Sequence, residues 1–398
     1  MKLLRVALDN LAMFEDGRLE LDLFARDRVV AEDESVTELG KPVYSLNVVA
    51  LAGINASGKS TALSLLDLAL RAASGQPIAA SGCDRGLARV FCGTTHLDAL
   101  IWSGGRMHLL RSEIRVGGTS LDAAPGASGL AFGEEVVYNL PERGMSKKQL
   151  SAPFDEIAGL GVEEMRRSRL PEGETRFLKP DVSVFSAVVD TPAAHLHLEA
   201  ADMPLSLLDG VGGVDETLRA FDAGIEHLEV ADDGRAFRLK MLNRDESLTL
   251  SREGLEDVLS SGTAKGLMIV QRAVLVLKSG GYLLLDEIEN HLNRQLVAAI
   301  VGLFCTRRTN PLGATLVFTT HYPEVLDALH RKDCVYFLKR GAGSRSEAVK
   351  YSSEVRRIEN KKSEVFSSNY LGGTAPRYTD VAALLSFAAS AIGGEGRD

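Results

Sequence analysis

The sequence predicts an α/β protein built on a phosphate-binding strand–loop–helix unit. An antiparallel β-subdomain flanks it, and a mainly helical insertion precedes the return to the main sheet. Three observations predict this. Gly53-Ile54-Asn55-Ala56-Ser57-Gly58-Lys59-Ser60 fits G-x-x-x-x-G-K-[ST] without a mismatch. A second apolar run, Tyr282-Leu283-Leu284-Leu285, ends on two acids, Asp286 and Glu287. Between them lie β patterns separated by glycine-containing turns such as Ser103-Gly104-Gly105, not a repeated strand–helix alternation.

Taken in order, residues 3–8 read as a first strand and 18–23 alternate with period two as a second. Residues 26–41 are polar and read as a loop. The apolar, β-branched run 46–52 is a buried strand, and 61–70 carry apolar residues at helical spacing. Segments 87–91, 97–102 and 107–111 read as strands of an antiparallel sheet. The pattern weakens from 141 to 222, where 154–169 reads as a helix with a basic end and 196–199 fits either type. Residues 228–230 and 237–241, joined through Asp232-Asp233-Gly234, form a hairpin pattern. Helix 265–278, strand 282–285, helix 293–305, and strands 314–319 and 334–339 follow. A late amphipathic helix spans 379–391, behind a loop with Tyr370 and Tyr378 that reads as part of a packed cap, with partner docking as the alternative. There is no internal repeat and no sustained heptad run.

Composition narrows the classes. The chain has 398 residues, 45% hydrophobic and 25% charged, with a net charge of -9. That is a soluble globular profile and disfavours a broadly nucleic-acid-coating surface. The first residues make a poor signal peptide, and no run is long and apolar enough to span a membrane. Cys83, Cys92, Cys305 and Cys334 lack metal-ligand spacing and read as reduced core or near-core thiols, which points to the cytoplasm.

The phosphate loop supplies the first part of a site. Its glycines let backbone N–H groups of Gly53, Asn55, Ala56, Ser57, Gly58 and Thr61 converge on a phosphate, and the helix N-terminus adds partial positive charge. Lys59 would reach the β- and γ-phosphates, and Ser60 would hold Mg²⁺. The Tyr282–Leu285 strand delivers Asp286 to the magnesium shell. Glu287 would hold the attacking water as general base, a role that typically contributes about 10²–10⁴ in rate.

Leu259-Ser260-Ser261-Gly262-Thr263-Ala264-Lys265-Gly266 precedes that strand by one helix. Here the chain resembles the ABC-type ATPases, whose signature is Leu-Ser-Gly-Gly-Gln. The resemblance implies an ABC-ATPase head with a mixed sheet and no long coiled coil. It also implies ATP and Mg²⁺ as ligands, and Ser260, Ser261 and Gly262 facing the γ-phosphate of a second subunit. Thr319-Thr320-His321 stands where such proteins carry a γ-phosphate-sensing histidine, so His321 joins Glu287 and Lys59 as a catalytic candidate. Asn290-His291-Leu292-Asn293 stands where they carry the interface loop, with Asn293 in place of the usual aspartate.

The G-x-N-x-x-G-K style of the loop resembles the SMC and RecF branch, as does Asn10-Leu11-Ala12-Met13-Phe14, although Ala12 replaces a basic residue. The signature together with Asp286-Glu287-Ile288-Glu289-Asn290 resembles stand-alone ATPases of prokaryotic phage-defence and abortive-infection systems. That implies a homo-oligomer, at least an ATP-dependent dimer, gating a separate nuclease or toxin. No Toprim-type acid cluster of a fused nuclease is recognisable after Glu347. The expected organisation is an N-terminal lobe over 1–140, an inserted mainly helical lobe over 141–225, a C-terminal ATPase lobe over 226–345 and a tail over 346–398. Two other readings stay open. One is a RecF-like DNA-repair clamp, suggested by basic pairs at Lys147-Lys148, Arg166-Arg167, Arg307-Arg308, Arg356-Arg357 and Lys361-Lys362. The other is an ATP-holding scaffold with negligible turnover.

Overall fold

The computed structural model describes residues 1–80, 84–117, 129–141, 145–171, 173, 177–189, 194–198, 214–231, 236–341, 343–355, 361–375 and 378–393. Two six-stranded sheets organise it. One is a mixed sheet in the order His195–Leu198, Tyr282–Leu285, Thr315–Thr320, Val48–Gly53, Val335–Arg340, Ser346–Lys350. Its first five strands are parallel and the last is antiparallel. The central strands are buried on both faces, which is why Val48–Gly53 and Tyr282–Leu285 read as continuous apolar runs. Because these strands are parallel, their C-terminal ends share one edge. The phosphate loop, the Asp286-Glu287 pair and His321 all follow strands that end there.

The second sheet is antiparallel, in the order Leu19–Asp22, Lys2–Leu8, Thr95–Ser103, Arg106–Val116, Leu130–Asn139, Val162–Arg166. Helix Lys59–Ser74 lies in one continuous apolar core with both sheets, which runs from Leu3 and Val6 through Leu65 and Leu66 to Leu284 and Phe318. Two tyrosines pin the sheets together. The Tyr282 hydroxyl accepts from the Leu3 N–H at 2.7 Å, and the Tyr336 hydroxyl accepts from the Asp22 N–H at 2.7 Å. On the far edge, His195 Nε2 of the edge strand approaches the buried Asp67 of the helix at 3.3 Å, and Arg71 of the same helix pairs with Asp67 at 2.9 Å.

A smaller antiparallel sheet, Ile225–Ala231, Ala236–Met241 and Leu248–Leu250, forms its own core with helices Val214–Phe221 and Ser261–Ser279. Gly266 is required at that junction, because a Cβ there would overlap the Phe221 ring. The hairpin turn expected at 232–234 lies outside the described residues, as do Cys83 and Arg356-Arg357.

Several local expectations change. The helix expected over 154–169 ends at Leu160; Gly161 follows, and Val162–Arg166 then joins the antiparallel sheet. The segment 141–225 therefore contributes a strand to each large sheet as well as its helices. The strand expected over 87–91 is a short helix, Asp84–Ala88, leaving one bridge between Leu11 and Phe91. The loop expected over 26–41 contains strand Val36–Gly40, paired with Val43–Leu46. Strand Ser346–Lys350 was not foreseen. Cys92 is exposed and not a core thiol, whereas Cys334 is buried. The last helix, Tyr378–Gly393, is no packed cap: Tyr378, Leu384, Leu385, Phe387 and Ile392 are exposed, as is Tyr370. No described helix is long and apolar enough to cross a membrane.

Candidate active site

The phosphate loop adopts the cradle its sequence requires. Ala56 and Gly58 have φ of 58° and 93°, the left-handed values that turn consecutive amides toward one point. Gly58 also lies against strand Ser346–Lys350, where a Cβ would come within 2.6 Å of the Ser346 hydroxyl. Gly53 has no room either, since a Cβ there would strike the Ser57 hydroxyl and the Leu338 carbonyl. Helix Lys59–Ser74 starts directly after Gly58 without a side-chain cap, so its first amides remain available.

A cleft of about 400 Å³ opens over this loop, lined by Asn55, Ala56, Ser57, Gly58, Lys59, Ser60, Thr61, Glu287, His321, Met13 and Arg340. Sequence residues far apart thus meet in one cavity. Arg340 and Met13 were not foreseen. Arg340 Nε donates to the Ala56 carbonyl at 2.7 Å and braces the loop from strand Val335–Arg340. No local pattern marks it.

Lys59 is buried and uses all three of its N–H donors. It donates to the Gly53 and Ile54 carbonyls, both at 2.9 Å, and to His321 Nδ1 at 3.0 Å. With Nδ1 accepting, Nε2 carries the ring proton and donates it to Glu287 Oε1 at 3.0 Å. The result is a continuous Lys59–His321–Glu287 chain across the cleft. Burial lowers the Lys59 ammonium to about 8, partly offset by Asp286, Glu289 and Glu287.

The acids are fixed from behind. The Thr319 hydroxyl donates to Asp286 Oδ1 at 2.6 Å and accepts from the Glu287 N–H at 2.7 Å. Glu287 itself has a φ of 48°, unusual for a residue with a side chain. Glu289 is buried; its Oε1 accepts from the His321 N–H at 2.5 Å, and its Oε2 has no hydrogen-bond partner. Lys265 Nζ donates to the Glu287 carbonyl at 3.2 Å, and burial lowers this ammonium from its ordinary value. Thr319, Glu289 and Lys265 all sit inside motifs quoted from the sequence, but their partners are on other strands and helices.

Two hard oxygen donors, the Ser60 hydroxyl and the Asp286 carboxylate, suit Mg²⁺, which takes few protein ligands and keeps several waters. Among the described residues no cluster of three His, Cys, Asp or Glu side chains could hold a metal ion.

Ser260, Ser261 and Gly262 are absent from the lining of this cleft. Ser260 caps helix Ser261–Ser279, its hydroxyl accepting from the Thr263 N–H at 3.0 Å. Ser261 Oγ lies 3.3 Å from His291 Nδ1, and a Cβ on Gly262 would strike the His291 carbonyl. Asn293 caps the next helix, its side chain accepting from the Leu296 N–H at 3.0 Å.

Residues 149–327 match the family described as "AAA domain, putative AbiEii toxin, Type IV TA system". That span holds the signature, the acid pair and His321 but not the phosphate loop. No curated protein matches the chain. Among solved structures, the SMC head domain from Thermotoga maritima is similar at 13% identity and a TM-score of 0.42, covering 88% of this chain and 99% of that one. At that score the likeness carries no weight of its own, and the fold rests on the strand order given above. Together, the motifs and the family match make the chain similar to compact SMC-like ABC-type ATPases related to abortive-infection systems.

Proposed function

We propose that this P-loop protein is an Mg²⁺-dependent ATPase that sandwiches ATP between two subunits and uses binding and hydrolysis to gate a separate effector, a nuclease or toxin, in anti-phage defence. The observation that carries the catalytic part is the Lys59–His321–Glu287 chain across the phosphate-loop cleft. It links an ammonium, an imidazole and a carboxylate through two hydrogen bonds, and this supports reading them as phosphate-binding cation, sensor and base.

The assigned roles follow from the chemistry. Gly53, Asn55, Ala56, Ser57, Gly58 and Thr61 form the phosphate cradle, the Ser57 N–H giving up the Ile54 carbonyl it holds at 3.2 Å. An incoming γ-phosphate draws Lys59 off the Gly53 and Ile54 carbonyls. His321 then loses one partner at Nδ1 and keeps Glu287 through Nε2. Glu287 holds water and accepts its proton. Ser60 and Asp286 would hold Mg²⁺, whose chemistry is to neutralise charge on the β- and γ-phosphates.

The dimer reading is supported by the position of Ser260–Gly262: they open a helix whose N-terminus carries partial positive charge, the Thr263 N–H there being taken by the Ser260 hydroxyl, and they do not line the cleft of their own chain. The defence reading is supported by the words "putative AbiEii toxin, Type IV TA system" in the description of the matched family; that the damaging chemistry sits in a separate effector is our inference. It is tested by capturing partners of Glu287→Gln from the native host with ATP and Mg²⁺. A co-purified nuclease or toxin without stoichiometric DNA supports it; DNA alone, or recombination proteins, favours the RecF-like clamp. That second reading has less to stand on, because the Arg166 and Arg167 guanidiniums are engaged with Glu163, Glu134 and Glu135, and Lys362 is buried on the Leu329 carbonyl.

A further inference from the structure

The segment after the acid pair is bent at both ends. Glu287 has a φ of 48° and His291 a φ of 64°, left-handed values that residues with a Cβ rarely adopt. The bend is closed internally by the Asn290 N–H on the Glu287 carbonyl at 3.0 Å and the Leu292 N–H on the Glu289 carbonyl at 2.9 Å. Such a backbone persists only where its surroundings over-determine it. One helix grips both ends. At the first, Lys265 Nζ donates to the Glu287 carbonyl at 3.2 Å. At the second, Ser261 Oγ meets His291 Nδ1 at 3.3 Å and Gly262 packs on the His291 carbonyl. Ser261 and Lys265 are four apart on helix Ser261–Ser279 and so lie on one face. Between the grips, Glu289 holds the His321 amide at 2.5 Å.

We infer that Lys265 is a positioning residue for Glu287, and that through it helix Ser261–Ser279 sets the pose of segment 287–291 and of His321 in the same subunit. This rests on the reading of Glu287 as general base. Lys265 does not line the cleft, so it acts on the reaction through the Glu287 backbone and not by touching ATP. The consequence is a direct mechanical link. The N-terminus of this helix is the part that would face a second subunit's nucleotide, and its second turn fixes the base of its own subunit. Engagement at one ATP site would thereby tighten the base at the other.

The test compares Lys265→Met, Lys265→Arg and, as a control, Lys278→Met, an exposed lysine at the far end of the same helix. Hydrogen exchange is measured without nucleotide over residues 286–293 and 319–323, and kcat and KM are measured with MgATP. Thermal melts confirm folding. Lys265→Met is expected to speed exchange in both segments and to lower kcat by about 10- to 100-fold, the scale of a displaced catalytic group, with KM little changed. Lys265→Arg, which keeps a cationic donor, is expected to recover most of both. Wild-type exchange over 286–293 in a folded Lys265→Met protein overturns the inference. So does a loss confined to KM, or an equal effect from Lys278→Met. If the wild-type protein itself shows no turnover, the base assignment fails, and the exchange data alone decide whether Lys265 holds the segment.

Discussion

Thr319→Val replaces a hydroxyl by a methyl of the same shape at a fully buried position. It removes two bonds at once: the 2.6 Å hydrogen bond to Asp286 Oδ1 and the 2.7 Å bond from the Glu287 N–H. The Glu287 N–H is part-buried, and leaving it without a partner costs up to about 1–3 kcal/mol, the scale for a buried donor. A side-chain-bearing residue held in a sparsely populated conformation stores about 1–3 kcal/mol, which the lost bond was helping to offset. Relaxation of Glu287 out of its present pose is therefore favoured by an energy of that order. If about 1–3 kcal/mol of it appears in the barrier, kcat falls about 5- to 150-fold. Nucleotide affinity changes far less, because the loop amides and Lys59 do not touch Thr319. Phosphate release at saturating MgATP reads the first quantity, and titration with a fluorescent ATP analogue reads the second. Thr319→Ser, which restores the hydroxyl, should return activity. A folded Thr319→Val protein that hydrolyses ATP at the wild-type rate refutes the view that Thr319 holds the acid pair in place.

The remaining predictions concern charge and space. Burial lowers the Lys59 ammonium to about 8, and a bound phosphate would restore its proton; ATP affinity should weaken as pH rises above about 8, by up to about tenfold per unit, in a fluorescence titration from pH 7 to 9.5, and a flat profile would contradict the burial argument. Lys2 donates to the Gly280 carbonyl at 3.2 Å and to the Gly313 carbonyl, and burial lowers it to about 7. Between pH 7 and about 10.5 the unfolded chain holds one more proton there than the folded one, so stability rises with pH by up to about 1.4 kcal/mol per unit; Lys2→Met should flatten that slope in chemical denaturation, and parallel slopes would refute it. Gly58→Ala should abolish nucleotide binding, since φ of 93° and a 2.6 Å contact with the Ser346 hydroxyl leave no room for a Cβ; binding within a few-fold of wild type would mean the loop can rearrange.

What was legible in the sequence was what is local. The phosphate loop announces itself because one strand, one short turn and one helix, all contiguous in the chain, carry the whole requirement. The Tyr282–Leu285 strand and its two acids were readable for the same reason, and His321 because it ends a similar strand. Missed features depend on partners distant in sequence. Strand Ser346–Lys350 forms only by pairing with Val335–Arg340, and it is what makes Gly58 irreplaceable. Val162–Arg166 read as the continuation of a helix, since only Gly159 and Gly161 interrupt that segment and the strand forms by pairing with distant Leu130–Asn139. Thr319, Glu289, Lys265 and Arg340 look like ordinary polar residues in the chain. Their roles appear only when the parallel strands bring their C-terminal ends to one edge. The expected cap around Tyr370 and Tyr378 failed because apolar periodicity marks a face that wants burial without saying that this chain supplies the cover.

The central claim is a composite site completed by two copies of this chain, with Glu287 as base. The most direct test is the solution mass of Glu287→Gln by light scattering with ATP and Mg²⁺, beside Lys59→Ala and the nucleotide-free protein. The account predicts a stable dimer for Glu287→Gln with ATP alone, and no ATP-induced gain in mass for Lys59→Ala. A Glu287→Gln protein that binds ATP yet keeps its nucleotide-free mass, or that turns ATP over at the wild-type rate, would contradict it.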